Sequence, residues 1–151
     1  SNAVLSNTHT YRLKTDERTR FFLMRYLVQC SMLPGRNDVF WGIVGGGPDV
    51  EHMKKLSHDM DLDDIVEFTG RVPDQTLLDY LNTADVCVNS DEYNAMNDKS
   101  TMNKILEYMA LAKPIVQFDL TEGRYSAQEA SLYAKNNDAE DMAKKIKAKN
   151  T

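Results

Sequence analysis

Short runs of apolar residues alternate with stretches of helical periodicity along most of the chain. The run at 39–44 (VFWGIV) is continuously apolar, as in a parallel strand that helices cover on both faces. In the segment that follows, Val50, Met53, Leu56 and Met60 recur at the spacing of one helix face. The pattern predicts strands at 39–44, 64–70, 85–89, 114–118 and 131–134, and helices at 16–30, 50–60, 73–81, 100–111 and from 138 onward, with a helical turn at 125–130. This alternation predicts a Rossmann-like three-layer α/β/α sandwich with a mainly parallel sheet, whose ligands bind past the carboxyl ends of the strands.

The N-terminal segment and one interior segment lack such a pattern. Residues 1–3 (SNA) look like the remnant of a cleaved purification tag, and residues 4–15 are predicted to be irregular. The polar stretch 90–99 is predicted to be a loop. With 151 residues and no interior linker, the chain is predicted to form a single domain over 16–151.

The composition is that of a globular protein with an acidic excess. Lys and Arg number 18 against 23 Asp and Glu, so the formal net charge is −5. This charge disfavours general binding to nucleic acid or to an anionic membrane, and no apolar run approaches the roughly 18 residues that cross a bilayer. Cys30 and Cys87 have no metal-ligand spacing, and we expect both to be reduced and buried, as in a cytosolic protein.

Two loops at predicted strand ends have residues that suit ligand binding. The glycines at 45–47 let backbone N–H groups approach a phosphate, although they match neither a dinucleotide fingerprint nor a P-loop. In the second loop, Arg71 can pair with a phosphate or a carboxylate, and the backbone around Val72 can bond a base edge. A tight turn and a solvated arginine explain the same residues equally well.

A third segment combines a helix start with charged side chains. Ser100 and Thr101 supply hydroxyls and free N–H groups at this start, which together suit an anion. Glu107 lies about two turns further along, where a carboxylate can accept both hydroxyls of a ribose, and Lys104 lies one turn before it. A plain N-cap at Ser100 and an exposed pair between Lys104 and Glu107 are the simpler alternatives. His52 and His58 are expected to be surface residues.

Five strings in this order resemble the C-terminal, nucleotide-sugar-binding half of family 4 (group 1) glycosyltransferases, which have the two-domain GT-B fold. They are GGGP, FTGRVPD, ADVCVNSD, NDKSTMNKILEYMALAKPIVQFDL and EGRYSAQEASLYAKNND, at 45–48, 68–74, 84–91, 97–120 and 122–138. The resemblance covers the chain from Phe40 onward. It implies retaining transfer of a sugar from a nucleoside diphosphate to an acceptor, with no metal ion and no other cofactor.

The resemblance also implies a set of donor-binding residues: Gly45, Gly46, Gly47, Arg71, Val72, Asp98, Lys99, Ser100, Thr101, Met102, Lys104 and Glu107. The glycine loop would line the donor pocket, and the loop at Arg71 would hold the base, chiefly through the backbone at Val72. The helix start at 100–102 would cradle the diphosphate. Glu107 matches the second glutamate of the family's Glu-x7-Glu motif, which binds the ribose hydroxyls.

The chain departs from the family pattern in two ways. Lys99 stands where the first glutamate of that motif is expected, and Lys99 or Asp98 is expected to replace it near the donor sugar, as in a branch whose loop reads Asn-Asp-x-Ser-Thr-Met. The acceptor-binding N-terminal domain and the first strand of the C-terminal domain are expected to be missing. The chain alone is therefore expected to be inactive, and no catalytic residue is assigned within it.

The implied partners are a UDP- or GDP-sugar donor and the N-terminal GT-B domain, with no nucleic acid. The expected setting is bacterial polysaccharide biosynthesis in the cytoplasm, with the full-length enzyme at the inner face of the membrane. Two alternatives stay open. One is a fragment of another GT-B enzyme, such as a sugar-nucleotide epimerase, and the other is a non-catalytic α/β binding module.

Overall fold

A computed structural model describes residues 2–7, 39–46, 50–89, 91, 93–100 and 103–149, which fold around a parallel sheet. The strands are β1 (Asn2–Asn7), β2 (Val39–Val44), β3 (Val66–Gly70), β4 (Val86–Asn89), β5 (Ile115–Phe118) and β6 (Ser131–Ala134). The described helices are α1 (Val50–Asp59), α2 (Asp74–Thr83), α3 (Ala95–Asp98), α4 (Asn103–Ala110), α5 (Thr121–Ala127) and α6 (Ala139–Lys149), with a 3₁₀ turn at Gln128–Ala130. The predicted alternation of strands and helices is therefore confirmed.

The sheet has the strand order β3-β2-β1-β4-β5-β6, and all of its strand pairs are parallel. The chain runs outward from β1 to β3 and then returns to add β4 on the other side of β1. The order reverses between β1 and β4, and ligands of such sheets bind beyond the carboxyl ends of the strands at this point. The Rossmann-like class predicted from the sequence is confirmed.

Apolar side chains fill both faces of the sheet. Because successive side chains of a strand point to opposite faces, Val86 and Val88 pack into one core cluster and Cys87 packs into the other. The first cluster includes Met53 of α1 and Met142 of α6. The second cluster includes residues of α2, α4 and α5: Leu81, Ile105, Tyr108 and Ala127. The three predicted layers are thus helices, sheet and helices.

The first strand is present, which corrects the sequence-based expectation. Residues 2–7 pair with β2 on one side and β4 on the other, with Leu5 opposite both Gly42 and Cys87. The prediction of irregular chain from residue 4 is therefore wrong as far as Asn7. The segment NAVLSN has few strong strand formers, so hydrogen bonding from two neighbouring strands outweighs its local propensity. Residues 8–15 and the helix predicted at 16–30 lie outside the described residues, and the origin of residues 1–3 stays a prediction.

The stretch predicted as a loop at 90–99 contains a helical turn, α3, and this is a second correction. Asn94 starts the turn, because its side-chain Oδ1 accepts hydrogen bonds from the backbone N–H groups of Met96 (3.1 Å) and Asn97 (2.8 Å). Asparagine is a favoured N-cap residue for this reason. A four-residue helix leaves too short a period for the sequence pattern to reveal.

Candidate nucleotide-binding site

The glycine loop and the Arg71 loop lie against each other at the carboxyl ends of β2 and β3. The Gly45 backbone N–H donates to the Gly70 carbonyl at 3.0 Å. Both glycines have positive φ, +122° at Gly45 and +67° at Gly70, which side chains rarely allow. A Cβ atom at Gly46 would lie 3.1 Å from Arg71 Cγ, so the arginine side chain packs directly over this glycine. Two of the predicted loops are thus brought together.

The side chain and the backbone at residue 72 have different surroundings. The Val72 side chain is half-buried and packs against the second core cluster beside Leu77. Arg71, the preceding residue, is exposed. This packing holds the loop against the core just before α2 begins. Gly47, the third glycine of the predicted glycine loop, lies outside the described residues.

A buried ion pair lies beyond the end of β4. Lys104 Nζ is 2.9 Å from Asp91 Oδ2, and the two side chains are only 11% and 7% exposed. The two opposite charges therefore form a salt bridge that is largely shielded from water. The Asp91 backbone N–H donates to Asn89 Oδ1 at 3.2 Å, which holds the aspartate at the strand end. Lys104 was predicted to contact the donor, and the structure gives its charge a partner within the chain.

Ser100 is held by the turn that precedes it. Its Oγ donates to the Met96 carbonyl at 2.7 Å, and its backbone N–H donates to the Asn97 carbonyl at 3.1 Å. The residue comes three positions before the described start of α4, and its backbone N–H, predicted to be free for an anion, is already bonded. Thr101 and Met102, which complete the predicted cradle, lie outside the described residues.

Asp98 contacts a neighbouring loop. Its Oδ1 accepts the Thr121 backbone N–H at 2.7 Å, and its Oδ2 accepts the Thr121 hydroxyl at 2.9 Å. The residue predicted to replace the missing glutamate thus binds the start of α5 with both oxygens. Lys99, the other predicted replacement, is exposed at the end of α3.

Glu107 lies on α4, three residues after the buried Lys104, and is half-buried. The residues on this helix that face the core are Ile105 and Tyr108, both almost fully buried. The half-burial of Glu107 puts this residue at the border between the core-facing and the exposed sides of the helix. The predicted position of the ribose ligand is compatible with this placement.

Sequence reasoning missed the partners that fix the segment between β4 and α4. Thr121 and Asn137 follow β5 and β6. Thr121 lies between two of the matched strings and Asn137 lies within the last one, but no role was predicted for either residue. Asn137 Oδ1 accepts the Tyr93 backbone N–H at 2.7 Å, and Asn137 Nδ2 donates to the Tyr93 carbonyl at 3.2 Å. The residue has a φ of +60°, a conformation that asparagine tolerates, so its turn could have been inferred from the sequence but its contact could not.

Residues 23–148 match the family model of the group 1 glycosyl transferases. The chain belongs to this family. The match covers most of the chain and agrees with the resemblance drawn from the five sequence strings.

Solved glycosyl transferase structures share the fold. A glycosyltransferase from Rickettsia africae ESF-5 superposes with a TM-score of 0.77 at 17% identity, over 98% of this chain and 37% of that one. A mutant of TarM from S. aureus, in a complex that contains UDP, gives a TM-score of 0.74 at 22% identity, over 96% of this chain and 27% of that one. The pneumococcal O-GlcNAc transferase GtfA, in complex with UDP and GlcNAc, gives 0.69 at 14% identity, over 95% of this chain and 28% of that one.

This group 1 glycosyl transferase chain therefore spans between 27% and 37% of the length of these three structures. No curated protein matches it by sequence. Among the residues that the structure describes, no helix combines the length and the apolar character needed to cross a membrane. The same residues contain no group of three or more His, Cys, Asp or Glu side chains that could hold a metal ion.

Proposed function

We propose that this chain is the donor half of a retaining glycosyltransferase and binds the nucleoside diphosphate of a UDP- or GDP-sugar. The observation that carries the proposal is the contact between the glycine loop and the Arg71 loop at the rim of the sheet where the chain also leaves β4. The glycine loop, the Arg71 loop and the start of α4 all follow the carboxyl ends of parallel strands, β2, β3 and β4. Ligands of doubly wound sheets bind at this rim.

The diphosphate is assigned to the start of α4. Residues 100–102 precede this helix, whose first N–H groups have no partner inside the helix and whose dipole favours an anion. Lys104 adds a positive charge in the first turn, although Asp91 partly offsets it. The glycines at 45–47 would form the facing wall of the pocket.

The nucleoside is assigned to the Arg71 loop and to α4. The backbone around Val72 would bond the base, since the Val72 side chain is turned into the core. Glu107 would accept the ribose hydroxyls with its carboxylate, which is a strong acceptor for hydroxyl donors. The presence of UDP in the TarM and GtfA complexes favours a uridine nucleotide.

The chemistry of the donor half is proposed to need no metal ion. In glycosyl transfer the leaving diphosphate gains negative charge, and a helix start with a basic side chain can stabilise it. The acceptor-binding site and the remaining catalytic groups would come from an N-terminal domain, so the chain alone is proposed to be inactive. We place the full-length enzyme in bacterial polysaccharide synthesis, on the cytoplasmic side of the membrane.

Isothermal titration of this chain with UDP, GDP and ADP, without and then with Mg²⁺, tests the proposal. We expect one nucleotide to bind with an affinity that Mg²⁺ does not change. Glu107→Gln should weaken binding by about 1–3 kcal/mol, because a charged hydrogen bond to ribose is lost. Glu129→Gln, at the opposite rim just before β6, is the matched control and should leave affinity unchanged. Binding of none of the three nucleotides would overturn the proposal, and binding only with Mg²⁺ would overturn its metal independence.

A further inference from the structure

The segment between β4 and α4 is held in place by side chains from outside it. In its described part, Lys104 of α4 pairs with Asp91, and Asn137 binds both backbone polar groups of Tyr93. At the far end of the segment, Asp98 binds Thr121 through both of its carboxylate oxygens. The contact between Asp98 and Thr121 joins the end of α3 to the start of α5. Along the chain it is two residues from Ser100, where the proposed diphosphate-binding segment begins.

The contact between Asp98 and Thr121 supplies a cap that α5 lacks locally. The N-cap residue of α5 is Leu120, whose own side chain cannot accept a hydrogen bond from the start of the helix. Asp98, 23 residues earlier in the chain, accepts the Thr121 N–H at this helix start instead. A carboxylate is the favoured group at this end of a helix, because it complements both the free N–H groups and the dipole.

The same contact fixes the position of α3. A single helical turn is not stable by itself, so its position depends on what holds its two ends. Asn94 caps the first end, and Asp98 lies in the last position and is bound to Thr121. Ser100 donates to this turn twice, from its hydroxyl to the Met96 carbonyl and from its backbone N–H to the Asn97 carbonyl. Release of Asp98 would therefore free Ser100 as well.

We propose that Asp98 is a positioning residue that sets the β4–α4 segment in its nucleotide-binding conformation through Thr121, and not a ligand of the donor sugar. The proposal deepens the proposed function and rests on it. It replaces the expectation that Asp98 substitutes for the absent glutamate near the sugar. Under this proposal, Thr121, which follows β5, contributes to nucleotide affinity without contacting the nucleotide.

Two readouts test the proposal, and the first needs no ligand. In this chain, backbone hydrogen exchange of residues 94–100 should accelerate on the order of tenfold in Asp98→Ala, as expected when a charged hydrogen bond is lost. Thr121→Val should produce a smaller increase, because the backbone N–H stays in place. Thr121→Ser keeps the hydroxyl and should restore the behaviour of the unmodified chain. Asp79→Ala on α2, where the exposed carboxylate accepts a bond from Gln75 of the same helix, is the matched control.

The second readout is the affinity for UDP or for whichever nucleotide binds. If Asp98 acts through Thr121, Asp98→Ala and Thr121→Val each weaken binding, and the double variant is no weaker than Asp98→Ala alone. If Asp98 touches the ligand, Thr121→Val leaves the affinity unchanged, and that result overturns the proposal. Unchanged exchange in Asp98→Ala also overturns it. If exchange accelerates as expected but the unmodified chain binds no nucleotide, the contact between Asp98 and Thr121 is confirmed to position the segment. In that case the proposed function fails, and the positioning role of Asp98 does not.

Discussion

Gly123 lies directly over the side chain of Gln117. A Cβ atom at Gly123 would be 2.5 Å from Gln117 Oε1, closer than any stable contact. Gln117 is fully buried in β5, and neither amide atom has a hydrogen-bond partner among the described residues. The glutamine has no exposed space to move into, so this contact fixes how closely α5 can approach the sheet.

Substitution of this glycine should therefore destabilise the fold. Gly123→Ala forces a methyl group against a buried amide, and we expect a loss of about 1–3 kcal/mol in the free energy of unfolding, measured by urea denaturation. Gln117→Ala should itself destabilise the chain, but Gly123→Ala in that background should cost much less, because the clash is gone. An equal cost of Gly123→Ala in both backgrounds would show that the contact is not the cause.

The buried pair of Asp91 and Lys104 should be more sensitive to loss of one partner than to loss of both. Asp91→Asn leaves the lysine charge buried without a counter-charge, and we expect a loss of about 3–5 kcal/mol in the free energy of unfolding. The double variant Asp91→Asn/Lys104→Met removes both charges and should recover most of that loss. The exposed pair of Glu140 and Lys144 is the control, and Glu140→Gln should change stability by less than about 1 kcal/mol. A similar cost for the buried and the exposed pair would contradict the assigned burial.

The sequence predicted the sheet better than it predicted the contacts around the candidate site. The run 39–44 is apolar throughout, and 114–118 is apolar except for Gln117, because helices cover both faces of those strands. This burial leaves a direct signal in the sequence. Strand β1 left no such signal, since its place between two partners compensates for a weak local propensity.

The candidate residues were found by type and spacing, but their partners were not. Asp98 and Thr121 are 23 residues apart, and Tyr93 and Asn137 are 44 apart. These contacts arise because neighbouring parallel strands deliver their loops to one rim, so they depend on strand order. Strand order is a tertiary property, and no local pattern in the sequence specifies it.

A surface pair between the end of α1 and the turn that follows it should make stability depend on pH near neutrality. His58 Nδ1 lies 2.7 Å from Asp63 Oδ2, and this hydrogen bond, with the charge of Asp63, raises the pKa of His58 above its ordinary value of 6.5. The pair stabilises the fold fully when the pH is below the pKa that His58 has in the unfolded chain. This stabilisation is lost as the pH rises through the higher pKa that His58 has in the folded chain. NMR titration should give a pKa above 6.5 that falls in Asp63→Asn. The difference in melting temperature between the two proteins should be larger at pH 5 than at pH 8.5, and a difference independent of pH would contradict the assignment.

The thiol of Cys87 should be unreactive in the folded chain and should make the fold sensitive to alkali. Burial raises the pKa of Cys87 to about 12, although the charge of Lys113 acts in the opposite direction. Reaction with DTNB at pH 8, in a Cys30→Ser background, should therefore be slow and limited by unfolding, since the thiolate is the reactive form. Between the ordinary value of 9.0 and about 12, the unfolded chain binds fewer protons than the folded one, so the free energy of unfolding should fall as the pH rises through this range. Cys87→Ala removes this contribution, and its stability should decline less steeply above pH 9. Rapid labelling of the folded chain, or identical alkaline slopes for the two proteins, would show that the thiol is accessible to water.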